Sequence, residues 1–312
     1  MATMKAVRIH EYGGPEVLRY EEAPRPEAGS GEVLIRVHAA AVNPVDWKVR
    51  AGFARDRLRY KMPFIPGWDL SGVVEGVGSG ASRLKAGDDV YSRPDIARDG
   101  SYAEYIVVKE SEVARQPKTI DHVHAAAVPL AALTAWQALF DAAQLSSGQT
   151  VLIHGAAGGV GSFAVQFAKM KGARVIATAS KRNHDYLRSL GAEETIDYNT
   201  TKFEDVVRNV DAVLDTITGE TADRSYPVIK PGGVYVSILM PPSEDKARAH
   251  GVRVAHTFVQ ASVEQLNEIA KLVDSGKLTI PIEKVFPLAE ARAAQELSAQ
   301  GHTRGKIVLR VI

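Results

Sequence analysis

The chain has 312 residues, 45% of them hydrophobic and 24% charged, which predicts two domains of ordinary globular composition. Lys plus Arg (38) nearly cancels Asp plus Glu (37), so no basic surface marks the chain for nucleic acid or anionic membrane. The absence of cysteine excludes disulfides, thiolate nucleophiles and every Cys-containing zinc site together.

Met1 to His10 has no apolar run after a basic start, so no secretory signal is expected and a cytoplasmic location is predicted. From Met1 to about Pro117, short β-rich runs are separated by Gly and Pro clusters: Glu32 to Val37, Leu70 to Val77 and Tyr102 to Val108. They predict a mostly antiparallel β unit. Val123 to Leu145 is rich in Ala and Leu but holds His124, Pro129, Gln137 and Asp141, and it reads as a buried helix, not a membrane span. From about Asp121, helical patterns alternate with apolar strands at Thr150 to His154, Arg174 to Thr178, Thr195 to Asp197, Asp211 to Asp215 and Gly233 to Ile238. Such an alternation predicts a parallel, doubly wound sheet. After Arg253 to His256 come helical runs at Val263 to Ser275 and Leu288 to Gln300, the segment Glu283 to Phe286, and a last strand, Lys306 to Val311, that suits either sheet.

The stretch Thr150 to Lys169 is the most informative. An apolar strand runs into Gly155-Ala-Ala-Gly-Gly-Val-Gly161, which opens a helix. Ala156-x-Gly158-x-x-Gly161 stands where a dinucleotide fingerprint has three glycines, with Gly159 and Val160 inside it. Gly158 lets the backbone approach a diphosphate, Gly161 permits close helix-to-strand packing, and the helix N-terminus offers free N–H groups. An NAD enzyme usually carries an acid about 20 residues on, for the ribose 2′-hydroxyl. Here Ser180-Lys181-Arg182 stands there with no acid before Asp185, which favours NADP(H); the alternative is a solvated basic helix start. Tyr198 can pack beside the adenosine phosphate or be a half-buried aromatic.

Gly148-Gln149, Ala156-Ala-Gly-Gly159, Gly161, Gln166 and Lys169 resemble the signature of the quinone oxidoreductase, or zeta-crystallin, family of the medium-chain dehydrogenase/reductase superfamily. The likeness continues through Asn43-Pro-Val-Asp46, Pro66-Gly67, Gly100-Ser-Tyr-Ala-Glu104, Leu133-Thr-Ala-Trp136 and Gly301 to Leu309. It implies an α/β protein with a GroES-like β-barrel catalytic domain (residues 1–122 and 257–312) and an inserted NADP-binding Rossmann domain (123–256), with the reaction site in the cleft between them. A homodimer is the family's expectation.

Zinc members of the superfamily take a ligand from Gly-His-Glu; this chain reads Gly67-Trp68-Asp69 at that position, so no metal site is expected. Among nine histidines only His122-x-His124 has ligand-like spacing, at a helix start. Without a Lewis acid, alcohol oxidation is hard, whereas a quinone or conjugated alkene is already electrophilic. The reading is an NADPH-dependent, metal-free oxidoreductase that transfers hydride to quinones or related activated carbonyl-conjugated alkenes. The alternatives are an enone or enal reductase acting on the C=C bond, or a non-catalytic crystallin-like NADPH binder.

The match implies site residues. Asn43 can place its amide near the nicotinamide ribose or the substrate oxygen, Asp46 can anchor the loop, and Lys48 can donate a proton to an enolate oxygen or be a surface lysine. Thr134 either faces the nicotinamide or bonds back to its own turn. Phe258 and Val259 resemble a segment contacting the carboxamide, and Arg304 and Lys306 resemble terminal cofactor contacts. Asp215 to Gly219 ends a strand where open α/β sheets bind ligands.

Overall fold

In the computed structural model, which describes residues 2–53 and 55–312, two compact units form: Met1–Leu130 with Ala261–Ile312, and Ala131–Gln260. The first unit opens with an antiparallel hairpin, β1 (Thr3–Arg8) against β2 (Arg19–Pro24). Then come β3 (Glu32–Val42), α1 (Pro44–Arg50), β4 (Leu70–Val77), β5 (Asp89–Ser92), β6 (Tyr105–Lys109) and β7 (Val113–Arg115). The 11-residue β3 is the spine, because its length lets it pair with β4 along one edge while its first half pairs with β6 on the other. Val33, Ile35 and Val37 bury against Val74, Val90, Ile106 and Val108.

The Ala/Leu-rich segment expected as one helix is broken into α2 (His122–Ala126), α3 (Pro129–Trp136) and a π-helical turn, Gln137–Ala142. Pro129 has no N–H to continue α2 and instead starts α3. Among the described residues no helix is long and apolar enough to cross a membrane.

The second unit is built on β8 (Thr150–Ile153), β9 (Arg174–Ala179), β10 (Glu194–Asp197), β11 (Val210–Asp215), β12 (Ile229–Ser237) and β13 (Arg253–His256). They lie in the order β10-β9-β8-β11-β12-β13, every pair parallel, which is the Rossmann order. The connecting helices are α4 (Gly159–Met170), α5 (His184–Leu190), α6 (Phe203–Val206), α7 (Glu220–Ser225) and α8 (Glu244–Ala249).

The chain then returns to the first unit with α9 (Val263–Asp274), β14 (Ile282–Pro287), α10 (Ala291–Ala299) and β15 (Lys306–Arg310). β15 pairs antiparallel with the second half of β3 and parallel with β14, so the end strand belongs to the first sheet. Ile307 and Leu309 on it bury with Phe286, Ala40 and Val42. The unit boundaries fall somewhat later than the sequence-drawn ones at 122 and 256. His122 bonds Ser71 and the Leu130 amide bonds Asp69, which keeps 122–130 in the first unit. The Thr257 amide bonds the Ser237 carbonyl, which keeps the chain past β13 in the second.

Candidate functional site

In the second unit, β8 ends in the glycine turn. Gly155 has φ +64°, and a Cβ there would stand 2.3 Å from Thr216 Oγ1. The turn glycine is therefore Gly155, one residue before the Ala156 that the fingerprint spacing singles out; Ala156 itself is fully buried. A Cβ on Gly161 would lie 2.4 Å from the Gly155 carbonyl oxygen and 2.6 Å from Ala156 Cα, so the first turn of α4 packs on the glycine turn too closely for any side chain. Gly158 differs. A Cβ there would meet only the Gly155 carbonyl, at 3.4 Å, so packing does not require glycine. Gly158 caps α4 without a side-chain bond, and the first turn, with Gly159 and Val160 partly exposed, contains no acid. This end of α4 keeps its unsatisfied amides and positive dipole for an anion.

Beside it, β9 leads to Ser180 and a 3-10 turn, Lys181–Asn183. Lys181 and Arg182 are exposed, and Asn183 Nδ2 donates to Ser180 Oγ at 3.3 Å. The first acid, Asp185, pairs with Arg188. Tyr198 is 53% exposed beyond β10. At the end of β11, Asp215 is fully buried and shapes its own loop, accepting the amides of Ile217 (2.6 Å) and Thr218 (3.0 Å) on Oδ1 and the Tyr235 hydroxyl (2.6 Å) on Oδ2. Thr134 is buried on α3. Phe258 is exposed and Val259 half-buried on the segment after β13. Gln137 pins that segment, its Nε2 donating to the Gln260 carbonyl and its Oε1 accepting the Gln260 amide, both at 2.9 Å. Sequence reasoning misses Gln137, because the pair spans 123 residues and leaves no local signal.

In the first unit, three candidates gather into one buried polar cluster. Asp46 Oδ2 accepts the Asn43 amide (2.8 Å) and the Tyr102 hydroxyl (2.7 Å), tying the start of α1 to the chain before β6. Asn43 Nδ2 donates to Asp69 Oδ2 (2.9 Å), and Lys306 Nζ donates to Asn43 Oδ1 and to Asp69 Oδ2 (3.1 Å). Asp69 Oδ1 accepts the Leu130 amide at 2.6 Å. Asn43 is 2% exposed with both ends of its amide bonded, and Lys306 is 3% exposed with its ammonium bonded inside the unit. The physical reason is that two buried carboxylates need a cation and fixed donors nearby. Asp69 and Tyr102 complete the cluster unannounced; in the sequence they mark only a motif departure and a strand start.

Burial pushes the Asp46 carboxyl up to about 7, against the opposing pull of its two donors and Lys306. Its Oδ1 has no hydrogen-bond partner, which is a further cost of ionising it. Burial also raises Asp69, opposed by Lys306 and Asn43. Lys48, on α1, is half-buried with its ammonium 5.5 Å from the Trp47 ring centroid, and burial lowers its pKa. It makes no ion pair within the described residues. Arg304 is exposed, its amide donating to Glu283 Oε2.

These residues do not fit a zinc ion. Trp68 is fully buried in an apolar cluster with Ile9, Val49 and Phe64, and the neighbouring carboxylates are already held by Lys306, Asn43 and Tyr102. His122 bonds Ser71 while His124 bonds Asp121, so that pair diverges.

Two family models match, an alcohol dehydrogenase GroES-like domain over residues 29–118 and a zinc-binding dehydrogenase domain over residues 190–309. A mitochondrial NAD(P)H oxidoreductase of Mus musculus is 35% identical, over 99% of this chain and 89% of that one. A chloroplast envelope quinone oxidoreductase homolog of Arabidopsis thaliana is 34% identical over 98% of each chain. The solved structure of a quinone oxidoreductase from Coxiella burnetii is 37% identical and superposes over 100% of both chains with a TM-score of 0.94. With both domain models, near-complete coverage and a GroES-like domain followed by a Rossmann sheet, the chain belongs to the quinone oxidoreductase family of the medium-chain dehydrogenase/reductase superfamily.

Proposed function

We propose that this protein is an NADPH-dependent reductase that works without a metal on quinones or related carbonyl-conjugated alkenes. The observation that carries the reading is the Asp69–Lys306 ion pair, 3.1 Å long and almost fully buried, beside the position where zinc relatives carry their histidine ligand. An internal ammonium, fixed by Asn43 and Asp69, takes the place of a metal ion beside the Asp69 carboxylate.

A bound dihydronicotinamide supplies the hydride. The chain's own residues do the rest. The open end of α4, below Gly158, receives the diphosphate, and Ser180, Lys181 and Arg182 meet the 2′-phosphate with hydrogen bonds and charge. Lys48 Nζ gives a proton to the oxygen on which negative charge develops; its half-buried setting eases that transfer by lowering its pKa. Exposed Ile217, Met240 and Phe258 follow the carboxyl ends of β11, β12 and β13, giving apolar surface suited to a hydrophobic acceptor.

The test is steady-state NADPH oxidation with 1,2- and 1,4-quinones and α,β-unsaturated carbonyls, with and without a chelator. Turnover unaffected by chelator is expected, and Lys48→Met should lower kcat on the order of 100-fold. Chelator-sensitive turnover, or activity with alcohols alone, would overturn the reading.

A further inference from the structure

His154 stands immediately after β8, between that strand and the Gly155 turn, and is 1% exposed. Its ring bonds two hydroxyls: Nδ1 lies 3.0 Å from Thr178 Oγ1 and Nε2 lies 3.1 Å from Ser225 Oγ. Ser225 spends its own proton on the Thr221 carbonyl, 2.6 Å away, so it accepts from His154 Nε2–H. That leaves Nδ1 to accept from Thr178, and the network assigns one neutral tautomer. Phe203 packs edge-on at 4.5 Å between ring centroids, and burial holds the imidazole neutral, its pKa lowered to about 4.

Thr178 is gripped twice. Besides its hydroxyl on His154, its carbonyl accepts the amide of Ala156 in the glycine turn at 3.2 Å. Thr216 Oγ1 in turn donates to the His154 carbonyl at 2.9 Å. The β8–β9 ladder ends at Ile153 opposite Ala177, so these bonds begin where the ladder stops and the two strands part into their loops. Two residues past Thr178 lies Ser180, the start of the basic turn. Apolar packing would fill this space as well, but only directional bonds fix the distance between the loops.

We infer that His154 is a positioning residue that sets the spacing between the glycine turn and the Ser180–Arg182 turn, and so selects a 2′-phosphorylated dinucleotide over an unphosphorylated one. The inference rests on the cofactor reading given under Proposed function.

The experiment measures dissociation constants for NADPH and NADH by fluorescence titration, and kcat and KM with a quinone acceptor. The variants are His154→Phe, His154→Gln and Thr178→Val, with Lys181→Ala/Arg182→Ala alongside. His154→Phe and Thr178→Val should each weaken NADPH about tenfold and NADH less than about threefold, with kcat within about twofold. A His154→Phe/Thr178→Val double variant should be little worse than His154→Phe alone, since the one bond that Thr178→Val breaks is already lost there. His154→Gln, which keeps a donor and an acceptor, should recover most of the loss. Equal weakening of both dinucleotides, no weakening, or a fall in kcat at unchanged KM overturns the inference. If His154→Phe does not fold, Thr178→Val decides alone. Should Lys181→Ala/Arg182→Ala cost both dinucleotides equally, the NADPH reading itself fails. Should that pair discriminate while Thr178→Val does not, only the role of His154 falls.

Discussion

Two helices of this protein begin with the same frame and are finished in opposite ways. α1 opens Asn43-Pro44-Val45-Asp46 and α4 opens Gly158-Gly159-Val160-Gly161, so valine holds the second helical position in both. Each start carries the positive end of a helix dipole, although in α1 Pro44 has no N–H to offer. In α1 the third residue turns its carboxylate back onto the amide of the capping residue, one half of a capping box. In α4 the third residue is glycine, no acid lies in the first turn, and no side chain caps the helix. The protein thus supplies its own carboxyl group to one helix and withholds one from the other. An unfilled start is where an outside phosphate gains most, and a filled one is scaffold.

Filling α1 internally puts Asp46 and Asp69 in a buried cluster with one cation, Lys306. The severest way to break the comparison is to remove that cation. Lys306→Met leaves the buried Asp69 carboxylate without its ion-pair partner and should cost about 3–5 kcal/mol of unfolding free energy, read as a lower denaturant midpoint. Adding Asp69→Asn should recover more than half of the loss. A cost below about 1 kcal/mol, the scale of a surface pair, would mean that the closed start of α1 does not depend on Lys306.

The next effect is in pH. Asp46 titrates at about 7 when folded against a reference of 3.8, so the folded state holds the extra proton between those values. Stability from this group therefore falls as pH rises from about 4 to about 7, by at most about 1.4 kcal/mol per pH unit. His154 has the opposite sign: its folded value, about 4, lies below the reference of 6.5. Its contribution is complete above 6.5 and is lost as pH falls toward 4. Urea unfolding across this range should show Asp46→Asn becoming relatively more stable toward neutral pH, and His154→Phe relatively more stable toward acid. Profiles parallel to the parent's would sink both assignments.

The two helix starts also differ in how far the sequence discloses them. Strand, glycine turn and helix around Gly158 lie within about one βαβ unit, so local periodicity and spacing expose them. Even there, letter spacing picks Ala156, while backbone conformation assigns the turn to Gly155. The cluster at α1 is built from Asn43, Asp46, Asp69, Tyr102 and Lys306, and the Asn43–Lys306 bond spans 263 residues. Taken singly, Lys306 is a charge flanking a strand and Tyr102 one aromatic in a β run. Only the pairing of β15 with β3 brings Lys306 to Asn43. Family resemblance names several of these positions one by one, whereas the bond between Asn43 and Lys306 is visible only in the fold.

The smallest change in free energy makes the sharpest test. Gly158 has φ −74° and ψ −177°, extended backbone open to any residue, and a Cβ there meets only the Gly155 carbonyl at 3.4 Å. Gly158→Asp should therefore fold and give α4 the kind of carboxylate that α1 already has. Cap and dipole together predict a gain of about 0.5 kcal/mol, read as a slightly higher midpoint. The same carboxylate repels the diphosphate and occupies its amides, so NADPH and NADH should both weaken about tenfold or more by calorimetry. Gly158→Ala adds bulk without charge and separates the two causes, since it should leave stability nearly unchanged and affinity less affected. The decisive feature is the opposition of signs, because a merely damaged loop would lose stability and affinity together. If Gly158→Asp is more stable and binds dinucleotide as well as the parent, the open start of α4 is not where the phosphates sit.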